Sequence, residues 1–120
     1  MIEILLLEKN IILATYLNEE LSQEKEFNVI YICKEGTEII EFLKDHSADI
    51  ILMDYMQTNG LVVVDQITKE FPTIKIIGFS TNGENDINDR FLELGGYCYL
   101  SKYCTDLQRL KEKIKECFKE

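Results

Sequence analysis

The chain has 120 residues, 46% of them hydrophobic, which gives room for one domain around one core and excludes a disordered polymer. Its 22 acidic against 13 basic side chains leave a formal net charge of -9, which repels nucleic acid and anionic membranes at long range and makes a protein the expected direct partner. Cys33, Cys98, Cys104 and Cys117 form no CxxC pair and His46 has no cysteine at ligand spacing, so reduced thiols in a cytoplasmic chain are expected rather than a zinc site.

In chain order, Ile2 to Leu7 is a short continuous apolar run, the pattern of a parallel strand buried on both faces (β1). It is flanked by Glu3 and Glu8, which fits neither a signal peptide nor a membrane span, so no export is expected. From Asn10 to Ser22, Ile11, Ala14, Leu17 and Leu21 recur at helical spacing, with Asn10 as N-cap (α1). Phe27 to Ile32 reads as a strand (β2), and Gly36-Thr37 opens a helix with Ile39, Ile40 and Leu43 on one face (α2). Ala48 to Met53 is the third strand (β3), and Leu61 to Phe71 is a helix stopped by Pro72 (α3). Ile74 to Phe79 (β4), a helix from Asn85 to Leu94 ending at Gly95-Gly96 (α4), Tyr97 to Leu100 (β5) and a final helix from Asp106 to Lys119 (α5) complete the chain. Five β-α units predict one doubly wound α/β domain over residues 1–120, with a parallel sheet, right-handed crossovers and helices on both faces.

Four of these strands run into polar groups: Glu8-Lys9, Asp54, Ser80-Thr81 and Ser101-Lys102. In open parallel sheets ligands gather outside the carboxyl ends of the strands, so an acid, a cation and hydroxyls are expected to meet there. Each also has a plainer reading. An Asp at a strand tip serves as a turn former or helix cap, Ser80-Thr81 as a capping pair, and Tyr99 as a packed strand aromatic. Lys102, following a short apolar strand, is expected to salt-bridge Asp54 or Glu8. Cys98 and Cys117 read as core residues, Cys33 and Cys104 as loop-proximal and exposed. On the last helix Leu107, Leu110, Ile114 and Phe118 form a core-facing stripe, leaving Tyr103, Arg109, Lys111, Lys113 and Lys115 for partner contact.

Taken together, this order and these tips resemble the CheY-like receiver domain of two-component response regulators over the whole chain. The resemblance implies a flavodoxin-like sheet of order 2-1-3-4-5. It makes Asp54 the phosphoacceptor, Lys102 and Ser80 the residues that read the phosphoryl group, and Tyr99, with Ser80, the switch. It implies a sensor histidine kinase or phosphotransfer protein as donor, a downstream protein target, and a homodimer through the α4-β5-α5 face, with no enzymatic activity of its own. It also implies a Mg2+ site from Glu8, Asp54 and the Met56 backbone. Here the pattern departs: Lys9 replaces the second acid of the family's pair, so that the formal charge of Glu8, Lys9, Asp54 and Lys102 is zero instead of -2. Lys9 therefore stands against metal binding and is expected beside Asp54 as an internal cation. The loop after Asp54 lacks the proline of D-x-x-M-P-x-x-x-G and reaches Gly60 two residues early, and Tyr103 replaces a proline that often follows the lysine in a cis bond. The alternative is a pseudo-receiver, with Lys9 and Lys102 clamping Asp54 so that no phosphate is involved. An aspartyl phosphatase is a remote third reading, because Asp54-Tyr55-Met56-Gln57-Thr58 echoes D-x-D-x-T but carries Met56 in place of the general acid.

Overall fold

The computed structural model describes residues 1–56, 59–81 and 85–119. The observed elements are β1 (Ile2–Leu7), α1 (Ile11–Leu21), β2 (Phe27–Cys33), α2 (Gly36–Asp45), β3 (Ile50–Met53), α3 (Gly60–Glu70), β4 (Lys75–Ser80), α4 (Asn85–Glu93), β5 (Cys98–Ser101) and α5 (Leu107–Lys119). All strand pairs are parallel, in the order β2-β1-β3-β4-β5. Alternate strand residues feed two cores. Ile4, Leu6, Ile50, Leu52 and Ile77 pack with Ala14, Leu17, Leu110 and Ile114 of α1 and α5. Leu5, Leu7, Ile51, Met53 and Ile76 pack with Ile39, Val64, Ile67 and Phe91 of α2, α3 and α4. Because the three central strands β1, β3 and β4 are buried on both faces, their runs are apolar throughout rather than alternating, whereas the edge strands β2 and β5 are only partly buried.

Register brings the site together. Leu7 pairs with Met53, Met53 with Gly78, and Ser80 with Ser101, so the carboxyl ends of four strands finish nearly level. The last two strands run one residue further than their apolar runs, because Ser80 and Ser101 still pair in the ladder. Ser80 thus belongs to β4, five residues ahead of α4, and does not cap that helix. Asn10 does cap α1, its side-chain oxygen accepting the Leu13 N–H at 3.1 Å. The early glycine after Asp54 has a steric reason: a Cβ on Gly60 would lie 2.2 Å from the Tyr55 carbonyl oxygen. Gln57 and Thr58, part of the D-x-D-x-T reading, lie outside the described residues. Among the described residues no peptide bond is cis, including Lys102–Tyr103.

On the last helix Leu107, Leu110 and Ile114 of the expected stripe pack on the core, but its fourth member does not. Leu110, Lys111, Ile114 and Cys117 are buried, whereas Phe118 is 47% exposed. Lys111 and Lys115, expected to face a partner, reach instead to Glu24 in the α1–β2 turn at 3.7 and 3.2 Å, and Lys113 pairs with Glu116 at 3.1 Å. Lysine stems lie over apolar surface while their ammonium groups find acids at its edge.

Cys33 also departs from expectation, since it ends β2 inside the core rather than lying in a loop. Burial first, then the carboxylates of Glu38 and Glu35, push its thiol up to about 12. Cys98 is half-buried with its thiol likewise raised by burial, Cys117 is buried, and Cys104 is exposed. Thiolate is the reactive form, so iodoacetamide under native conditions should modify Cys104 alone at an appreciable rate. Intact mass spectrometry checks this, with four adducts expected only after unfolding in urea.

Candidate functional site

Three charged residues each stand one position beyond a strand, and a backbone hydrogen bond fixes each of them. Glu8 N–H donates to the Cys33 carbonyl at 3.0 Å, Asp54 N–H to Leu7 at 3.1 Å, and Lys102 N–H to Ser80 at 2.9 Å. Their side chains then converge. The Lys102 Nζ lies 2.8 Å from Glu8 Oε1 and 2.8 Å from Asp54 Oδ2. The other oxygens accept backbone donors, Glu8 Oε2 from Asn10 N–H at 3.0 Å and Asp54 Oδ1 from Met56 N–H at 2.9 Å. Glu8 is only 3% exposed, so an unpaired charge there would be costly. The Asp54 carboxylate, 14% exposed, still reaches solvent.

Burial pulls Lys102 toward neutrality, but hydrogen bonds to Asp54 and Glu8 and their charges outweigh it, leaving its pKa above the ordinary lysine value. Glu8, Asp54 and Lys102 thus meet as their positions in the sequence foretold, and Lys102 pairs with both acids rather than one.

Lys9 does not join them. It is exposed and, among the described residues, makes no ion pair. The clamp of Asp54 by Lys9 and Lys102 is therefore corrected to Lys102 alone. Glu8 is buried at the end of β1, and Lys9, the next residue, is exposed at the entry to the turn capped by Asn10. Among the described residues no three Asp, Glu, His or Cys side chains cluster, and the facing oxygens of Glu8 and Asp54 are bridged by an ammonium. Two carboxylates whose facing oxygens are held by an ammonium are a poorer donor set for a hard divalent ion than three carboxylates.

Ser80 is buried at the end of β4. It lines a cleft of about 260 Å³ with Tyr55, Thr81, Asn88, Tyr99 and Cys104. The Tyr99 side chain, 40% exposed, stands at the edge of this cleft, so the two expected switch positions share one space. Tyr55 was not singled out by sequence reasoning. The available signal was a large aromatic directly after a strand-tip acid, where the chain has still to pass beneath a helix.

The family model described as "Response regulator receiver domain" matches residues 4–115, and the chain belongs to that family. It is thus a receiver domain of two-component signalling. Among curated proteins it is 30% identical over 104 residues to the protein-glutamate methylesterase/protein-glutamine glutaminase 2 of Carboxydothermus hydrogenoformans, covering 84% of this chain and 29% of that protein. It is also 30% identical to the transcriptional regulatory protein LnrK of Bacillus subtilis, covering 85% of this chain and 47% of that protein. The chain therefore spans less than half the length of these relatives. In fold it is similar to the crystal structure of the response regulator domain of Thermotoga maritima CheB, with a TM-score of 0.88 at 21% identity over 100% of this chain and 98% of that one. Among the described residues, no helix is long and apolar enough to cross a membrane.

Two expectations follow from the charges. Lys102→Met leaves Glu8 buried without a partner and should cost about 2–4 kcal/mol, whereas Asp54→Ala leaves Lys102 still paired and should cost about 1 kcal/mol or less. Urea unfolding checks the order. Because the folded pKa of Lys102 lies above its unfolded value, this contribution is complete below the ordinary lysine range and is lost as pH rises through the folded value. The gap between wild type and Lys102→Met should therefore hold across neutral pH and close only in strong alkali. As to metal, wild-type protein should show no saturable Mg2+ binding at low millimolar concentration by calorimetry. Lys9→Asp should create it by supplying a third carboxylate.

Proposed function

We propose that the domain accepts a phosphoryl group on Asp54 and that this controls a protein–protein interaction. The observation that carries the reading is the placement of Asp54: a solvent-reaching carboxylate at the tip of β3, oriented by the Met56 N–H and by Lys102, beside the β4 and β5 tips. In the transfer, an Asp54 oxygen attacks phosphorus of a phosphohistidine or acyl phosphate. The bond from phosphorus to the leaving group breaks, and its electron pair departs with imidazole or carboxylate. Lys102 remains tethered by Glu8 while Asp54 reacts, so a positive charge is in place for the phosphoryl oxygens. Ser80 supplies a hydroxyl to the product.

Incoming phosphate comes from a sensor histidine kinase or a phosphotransfer protein, and the α4-β5-α5 surface delivers the output. That surface exposes Leu92, Tyr99, Tyr103 and Arg109. Neither methylesterase activity nor DNA binding is assigned to this domain. Those roles would rest with other segments, such as the parts of the longer relatives that it does not span.

A second reading is favoured by one observation, the missing acidic cluster around Asp54. In a pseudo-receiver Lys102 keeps Asp54 permanently paired, and partners bind regardless of phosphodonor.

Acetyl phosphate with Mg2+ separates the two. One phosphoryl adduct is expected in the intact mass, formed slowly and abolished by Asp54→Asn, with Lys9→Asp labelling faster. Absence of any adduct on wild type would establish the pseudo-receiver.

A further inference from the structure

The amino ends of β1 and β2 lie at the opposite edge of the sheet from Asp54, and between them and the last turn of α5 is a cavity of about 420 Å³. It is larger than the cleft beside Ser80 and falls within the range of small-molecule sites, roughly 300–1,000 Å³. Met1, Ile2 and Phe118 give it apolar walls. Phe118 is the one aromatic of α5, and the core leaves its ring half-exposed.

The walls are held in place before any ligand arrives. Ile2 N–H donates to the Glu26 carbonyl at 2.6 Å, joining the starts of the two strands. In the last turn of α5, Lys75 Nζ donates to the Cys117 carbonyl at 2.9 Å. Lys115 lies 3.2 Å from Glu24, 3.7 Å from Glu26 and 5.8 Å from the centre of the Phe27 ring. A preformed site loses less conformational freedom on binding.

The rim carries unmatched positive charge. Glu26, the only acid among the described lining residues, is engaged by Lys115, whereas Lys25 and Lys119 are exposed and, among the described residues, form no ion pair. Two unengaged ammonium groups beside an apolar cavity stand out in a chain of net charge -9. Their stems extend the apolar wall while their heads stay in water. The complement is a molecule with an aliphatic body and an anionic head. Inorganic phosphate would leave the apolar walls uncovered, and a neutral lipid would leave the ammonium groups unmatched.

We propose that this cavity binds a medium-chain fatty carboxylate, its chain against Met1, Ile2 and Phe118 and its head at Lys25 and Lys119. The site lies at the far end of the sheet from the phosphoryl chemistry and does not depend on Asp54 accepting phosphate.

The test is calorimetric titration of the unmodified protein with hexanoate, octanoate and decanoate, each below its micelle concentration, with amide NMR shifts to locate the site. Saturable binding of one decanoate per chain is expected, weakening about three- to fourfold for each methylene removed. Shifts should centre on Ile2, Lys25, Glu26 and the last turn of α5, and decylammonium should produce none there. The exposed pair Lys25→Glu and Lys119→Glu, made together, should weaken decanoate about tenfold. Phe118→Ser should reduce the gain per methylene and so penalise decanoate more than hexanoate. Circular dichroism checks that both variants keep the fold. Affinity independent of chain length, shifts scattered over the surface, or undiminished decanoate binding in either variant would overturn the proposal.

Discussion

One ammonium group, 2.8 Å from each of two carboxylates, is the interaction on which the rest of this site depends. Glu8 belongs to β1, Asp54 to β3 and Lys102 to β5, with β4 lying between the last two. The lysine crosses that gap, and it does so at the mouth of the sheet, where backbone ladders have just ended and side chains have room to turn. Because Glu8 is nearly inaccessible to water, its charge has to be met inside the protein. The demand for a cation at this spot is therefore structural before it is functional. A group that must be present for the fold is then also present, already oriented, beside the Asp54 carboxylate.

The substitution at Lys9 gains its meaning from that geometry. A lysine in place of an acid invites the idea of an internal counter-ion, and the charge sum supports it. Position decides otherwise, since Lys9 projects to solvent and Lys102 supplies the charge from the far side of the sheet. What the substitution removes is a third carboxylate, and with it the donor set a hard divalent ion requires. The charges that meet at the site are thus one ammonium and the two carboxylates it bridges, with the buried Ser80 at the neighbouring strand tip.

Packing away from Asp54 uses the same economy of parts. The residue that follows the acid passes under α4, and the glycines of β4 and of the turn before β5 leave space for its ring and for Phe91. The Tyr55 phenol then donates to the Asn88 amide of α4, at a cleft that Ser80 also lines. On the opposite face of the sheet, Glu24 holds Lys111 and Lys115 of α5 against the α1–β2 turn. The α5 side of the sheet is thereby anchored by ion pairs, and the α4 side by ring stacking and one side-chain hydrogen bond.

By itself, the amino-acid sequence determined the order of elements, the parallel sheet and the convergence of Glu8, Asp54, Ser80 and Lys102. Continuous apolar runs mark strands buried on both faces, and a polar residue closing such a run has nowhere to go but the carboxyl edge. Local patterns also sufficed for the Asn10 cap and the stop before Pro72, because those depend on neighbours in the chain. Tertiary structure alone decided which way side chains face at the ends of elements. A rotation of one residue on α5 separates the buried Cys117 from the exposed Phe118, and a periodicity of 3.6 cannot choose between i+3 and i+4 without knowing what packs against the helix. Cys33 was likewise buried by the helix after it, and Lys9 was turned outward by the cap that follows. Most of all, Tyr55 reads as a loop residue until α4 lies over it, because its partners Asn88 and Phe91 are both distant in the chain and only the fold brings them to one ring.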